Sequence, residues 1–159
     1  MTGRGGRSPR RFTVVFLAAA LGLCTGVSPE SATAGDFDGS KPLSGTVERI
    51  VAVHPDRVVE DLDPETVGLP KAFRIDFRAR TIRPSADSLV RKILSIQRIT
   101  KVEQKIVLQG VDEGIEGVED AMAWSLALST TDGKAVLSAA GGGVAYVVYG
   151  TCKPVEDND

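Results

Sequence analysis

The sequence predicts an all-β chain, a small antiparallel barrel or sandwich with a meander at its C-terminal end and at most one short helix. Three observations carry that reading. Residues 73–80 run Phe-Arg-Ile-Asp-Phe-Arg-Ala-Arg, an apolar–charged alternation that marks a half-buried strand. The stretch Trp124–Cys152 divides into three runs separated by Asp132-Gly133 and Gly141-Gly142-Gly143. Turn residues recur at short intervals and no long helix alternates with the strands, which gives roughly seven to nine short strands.

Taken in order, Gly45–Val53 reads as the first strand. His54-Pro55-Asp56 ends it, because proline lacks an N–H and restricts its predecessor. Val58-Val59 is a short strand candidate. Asp63 is placed to cap one helical turn beginning at Pro64, and Leu69-Pro70 breaks that turn. In the alternating run, Phe73, Ile75, Phe77 and Ala79 share one face, while Arg74, Asp76, Arg78 and Arg80 share the other. Ile82 is out of phase, so a bulge or the strand's end is expected near Pro84.

Residues 85–100 support two readings. Leu89, Val90, Ile93, Leu94 and Gln97 fit a helical face with Ser85 or Asp87 as cap. Ile96 and Ile99 lie off that face, and β-branched residues continue to Val111. Strand from about Ser95 is the expectation, with a short helix before it as the alternative. Lys105–Val111 reads as a strand partly covered on both faces. Asp112–Ala121 reads as an acidic loop.

Asp132-Gly133 between alternating runs predicts a two-residue type I′ hairpin, since both central positions of that turn need φ > 0. Counting outward sets Thr131 opposite Lys134, Leu128 opposite Leu137, Leu126 opposite Ala139 and Trp124 opposite Gly141. Trp124, Leu126, Leu128, Leu137 and Ala139 then share the core face, and Ser125, Ser129 and Ser138 the other. Val144–Tyr149 is apolar on both faces. That predicts a central strand or the closing seam of a barrel, where an open edge would aggregate.

The N-terminus is an address. Arg4, Arg7, Arg10 and Arg11 precede an apolar run from Phe12 to Leu23, and Ala32-Thr33-Ala34-Gly35 follows. These are the three parts of a secretory leader, with cleavage expected between Ala34 and Gly35. The apolar run holds about a dozen residues, against roughly 20 for a spanning helix. Arg10-Arg11 with Phe12-Thr13-Val14 fits a twin-arginine signal in part, so both export routes stay open. Lipid attachment at Cys24 is disfavoured, because Leu23 stands where a small residue is needed. The expected domains are a leader at 1–34, a flexible lead-in at 35–44, one β domain at 45–152 and a disordered tail at 153–159.

Cleavage removes four arginines and Glu30, so net charge moves from −2 to −5. An acidic mature chain argues against nucleic acid as a partner. Cys24 leaves with the leader and Cys152 stays alone. An internal disulfide is then excluded, and an intermolecular thiol is the functional alternative to a covered strand-end residue. Between Lys71 and Lys105 ten basic residues face only Asp76, Asp87 and Glu103. Arg74, Arg78 and Arg80 are therefore the candidate partner surface.

Catalytic signatures are sparse. His54 is the only histidine and cannot build a multi-histidine metal site. Gly141-Gly142-Gly143 lacks the phosphate-loop spacing and leads into a strand. No Gly-x-Ser-x-Gly elbow occurs. Asp112, Glu113, Glu116, Glu119 and Asp120 offer oxygen ligands, but at no EF-hand spacing. No cofactor or metal is expected. Trp124 is a core residue first and a candidate pocket wall second.

These features point to an exported β-domain, periplasmic or secreted, that binds a protein partner or a small apolar ligand and has no transmembrane span in its mature form. The alternatives are a hydrolase with an acid-based site, Asp112 and Glu116 being its best candidates, and a structural envelope component dimerised through Cys152.

Overall fold

A computed structural model of the protein describes residues 36–114 and 120–155. The strands are β1 (Leu43–Val53), β2 (Val58–Glu60), β3 (Ala72–Asp76), β4 (Thr81–Pro84), β5 (Leu94–Ser95), β6 (Arg98–Val102), β7 (Lys105–Asp112), β8 (Met122–Ser129), β9 (Lys134–Gly141) and β10 (Val144–Pro154). One 3-10 turn, Pro64–Val67, follows Asp63. The fold is all-β, as the alternating pattern requires.

All strands belong to one antiparallel sheet, in the order β5-β4-β3-β1-β10-β9-β8-β7-β6, with β2 added beside β1. Its two ends, β5 and β6, are consecutive in the chain. Ser95 and Leu94 pair with Thr81 and Ile82 of β4, whereas Arg98–Val102 pairs with β7. Between them the Ile96 N–H donates to the Arg80 carbonyl and the Gln97 N–H to the Gln109 carbonyl, both at 2.9 Å. Residues 94–102 are thus one bent segment that passes from β4 to β7, and the curled sheet comes round on itself as a small barrel. β10 lies between β1 and β9, so neither of its edges is open; Val148 faces the interior, whereas Tyr149 on the other face is exposed.

Inward-facing residues fill the barrel. Leu43, Ile75, Ile106, Leu108 and Leu128 are fully buried, joined by Trp124 and Leu126. Burial of such side chains stabilises by roughly 1.5–3 kcal/mol each. β1 carries a bulge between Val47 and Arg49. The extra residue re-phases the strand, so that Ile50 comes to pair with Val148 and both are buried.

Several details differ from the sequence reading. The β8–β9 hairpin pairs Leu128 with Ala135, Leu126 with Leu137 and Trp124 with Ala139, two residues from the expected register. A shift of two keeps every side chain on its face, so the core face stands. The loop is four residues long, and Gly133 is its only position with positive φ, at 70°. A type I′ turn would need Asp132 there too. Ser129 Oγ instead bonds Thr131 Oγ1 (2.9 Å), and the Gly133 carbonyl accepts the Cys152 N–H (2.8 Å). The two-residue turn with both φ positive is Gly142-Gly143, at 55° and 78°, between paired Gly141 and Val144.

The run at 73–80 is cut after Asp76, because Asp76 Oδ1 takes the Ala79 N–H at 2.7 Å and turns the chain into β4. Residues 85–93 form neither helix nor strand, and Leu89 and Ile93 are exposed. Strand resumes at Leu94, as the strand reading expects. The lead-in carries Phe37 into the core at 3% exposure, and β10 continues through Lys153 and Pro154 to pair with Ser44 and Leu43.

Candidate binding cavity in the barrel mouth

A cavity of about 90 Å³ lies inside the barrel, toward the end where β1 passes into β2 and β7 reaches Asp112. Strand alternation builds its wall: Val47, Phe73, Ile82, Leu94, Leu126, Leu137 and Val148 come from seven different strands. Phe73 lies across its pairing partner Gly45. A Cβ on Gly45 would stand 2.3 Å from the ring's Cζ. Only glycine at position 45 admits the ring there. The space itself exists because Ala135 and Gly150 line it, where a larger aliphatic residue would fill it.

The rim is made by two connections. Gly68, Leu69 and Pro70 come from the segment after the 3-10 turn, and Val90 and Lys92 from residues 85–93. Lys92 Nζ pairs with Asp112 Oδ1, which also accepts the Gly114 N–H at 2.9 Å. The Lys92 side chain is 46% exposed and that of Asp112 is 21% exposed. A pair this wet contributes about 0–1 kcal/mol. Its role is to tie the 85–93 segment to the end of β7 beside the opening.

Among the described residues the lining contains no Ser, Thr, Cys, His, Tyr or Glu. Its charged groups are the rim pair and Arg83, whose Nε donates to Thr81 Oγ1 at 3.3 Å. What the described residues offer the cavity is shape and apolar contact. Among the described residues no group of three or more His, Cys, Asp or Glu side chains converges on a metal position, and no helix is long and apolar enough to cross a membrane.

The residues singled out from sequence are scattered. Arg74 pairs across from Arg83 and is exposed. Arg78 sits in the β3–β4 loop. Arg80 ends that loop at φ 54°, and its Nε and Nη2 donate to the carbonyls of Ile96 (3.0 Å) and Gln97 (2.5 Å). It clamps the bent segment. Trp124 is 4% exposed and packs in the core, away from the cavity lining. Its Nε1 is buried with no partner among the described residues. Cys152 is a free thiol at 2% exposure, and burial pushes its pKa up to about 12. Asp112 holds the rim. Ala34, Gly35, Cys24 and Glu116 lie outside the described residues.

Sequence reasoning missed Phe73, Leu126, Leu137 and the Lys92–Asp112 pair as a common site. Alternation places side chains inside a barrel but carries no signal for which interior level is left unfilled. A second, more open cavity of about 280 Å³ lies at the other end, beside Phe77, Arg78, Lys101 and Ile106.

No protein family, no curated protein and no solved structure matches this chain. The functional reading therefore rests on these residues alone.

Proposed function

We propose that this chain is an exported binding module rather than an enzyme, and that its ligand presents a small apolar group to the barrel mouth. The observation that carries the reading is the unfilled apolar cavity within a packed barrel. The cavity wall is apolar and opens at the mouth, so a ligand group seated in it would gain about 25 cal/mol for each Å² of apolar surface removed from water. The volume is below the roughly 150 Å³ that holds benzene in an engineered site, which favours a short branched alkyl group or the end of an acyl chain. The basic n-region, apolar run and Ala32-Thr33-Ala34 of the leader support export.

Heat unfolding of residues 35–159 with and without 1-pentanol, isobutanol and toluene tests the binding reading. A saturable rise in Tm with one of them is expected by linkage. Ala135→Leu, which fills the cavity, should raise Tm without ligand and abolish the further rise. Unchanged Tm with every compound would end the proposal. Export is tested separately by the intact mass of the protein from the cell envelope or medium. A chain starting at Gly35 is expected, and a full-length mass would refute cleavage.

A further inference from the structure

The opposite end of the barrel carries a different chemistry. The cavity of about 280 Å³ there has an apolar floor of Phe77, Ile99 and Ile106. Gly39 walls one side: with φ at 81°, its Cβ would lie 3.1 Å from Ile106 Cδ1 and 3.4 Å from Phe77 Cδ1. Lys101 pairs directly across from buried Ile106, so it shares the inner face of β6 and reaches the rim. Arg78 reaches it from the β3–β4 loop. Neither cation has an ion pair among the described residues, whereas Arg49, Lys71, Lys92 and Lys134 each do.

Asp38, close to this end of the barrel, has its carboxylate engaged elsewhere. Asp38 Oδ1 accepts the Ser40 N–H at 2.7 Å. Ser40 chiefly, with Lys101 and Lys41 as smaller influences, holds its carboxyl below the usual range. Asp38 therefore stays ionised and tempers Lys101 without forming an ion pair with it. We infer that this end of the barrel is a second binding site, one that takes a small organic anion: a carboxylate on an apolar body. The arginine fork suits a carboxylate, Lys101 adds a point charge, and the floor covers an aromatic or short aliphatic group. The volume falls just under the roughly 300 Å³ where pockets for drug-sized molecules begin, so the body is about one ring.

Amide and methyl NMR titration of the mature chain with phenylacetate, acetate and inorganic phosphate tests this. Phenylacetate should shift Gly39, Ile99 and Lys101 saturably. Acetate, which lacks the apolar body, and phosphate, which lacks both, should bind at least about tenfold more weakly. Arg78→Gln and Lys101→Gln should each weaken phenylacetate about tenfold, whereas Arg74→Gln, away from the cavity, should not. Equal affinity for phosphate and phenylacetate would reduce the site to a patch of positive charge, and no shift at Gly39 and Ile99 would refute it outright. The methyls of Leu126 and Leu137 report the other cavity, so failure here leaves the apolar site standing, and the reverse holds.

Discussion

The indole of Trp124 lies across Gly110, its direct partner in the β7–β8 pairing. A Cβ on Gly110 would meet Cζ2 at 2.5 Å, Cε2 at 2.7 Å and the Ser95 carbonyl at 2.5 Å. The glycine thus admits the ring and the bent seam segment at once. Gly110→Ala should destabilise the barrel by about 1–3 kcal/mol, the usual range for overpacking. Chemical denaturation followed by Trp124 emission checks it, with a red-shifted native spectrum expected if the ring is expelled. A variant as stable as the parent would show that neither neighbour is held tightly.

What the sequence carried and what it hid separate along physical lines. Period-2 alternation marked the inner faces of β3 and β8, and the doubly apolar β10 announced its central place. The β8–β9 register did not follow from Asp132-Gly133, because the side chains of Ser129 and Thr131 and the contact of Gly133 with Cys152 select a longer loop. Those contacts tie the two residues to partners that the dipeptide alone does not specify. Phe37 sat in a stretch of small and polar residues with no pattern, and its ring packs into the core against Gly133, where a Cβ would lie 2.6 Å from Phe37 Cε1. The cavity was invisible for a related reason. It arises where Ala135, Gly150 and Phe73 meet from three strands, and no local window contains that coincidence.

Arg80 combines strain with support. Its φ of 54° is left-handed, which disfavours a side chain by roughly 1 kcal/mol relative to glycine. Its guanidinium secures the carbonyls of Ile96 and Gln97 at the seam. Arg80→Ala loses the clamp and keeps the strain, whereas Arg80→Gly loses the clamp and relieves it. Both should fall in stability, Arg80→Gly by about 1 kcal/mol less. Amide exchange at Ile96 and Gln97 should quicken in both variants. Equal stability for alanine and glycine would show that the backbone is not strained there.

Asp132 gives the β8–β9 loop an acid-sensitive element. Ser129 chiefly, then Lys134 through its side chain and backbone, lower its carboxyl pKa to about 2 from 3.8. The folded value lies below the unfolded one, so the ionised form favours the folded loop. That contribution is present above about pH 4 and disappears as pH falls through about 2. Carboxyl NMR titration should place the Asp132 midpoint near 2, moving upward in Ser129→Ala. A midpoint near 3.8 in the parent chain would show that the loop's hydrogen bonds do not hold in solution.

Cys152 responds to the opposite end of the pH scale. The thiol is buried beside the Gly133 turn, and its pKa of about 12 stands above the ordinary 9.0 because desolvation disfavours the thiolate. Between those values the unfolded chain releases a proton that the folded chain retains. Stability from this group is therefore complete below about pH 9 and is lost as pH rises toward 12, by at most about 1.4 kcal/mol per pH unit. Cys152→Ala should lower stability at neutral pH by leaving a small void, yet lose less between pH 9 and 11 than the parent chain. The difference between the two chains cancels whatever is common to both. A thiol reagent at pH 8 should label Cys152 only after unfolding, because a native thiol here is neither accessible nor ionised. Rapid labelling of the folded protein would mean that the end of β10 opens, and a disulfide between two chains would then be within reach.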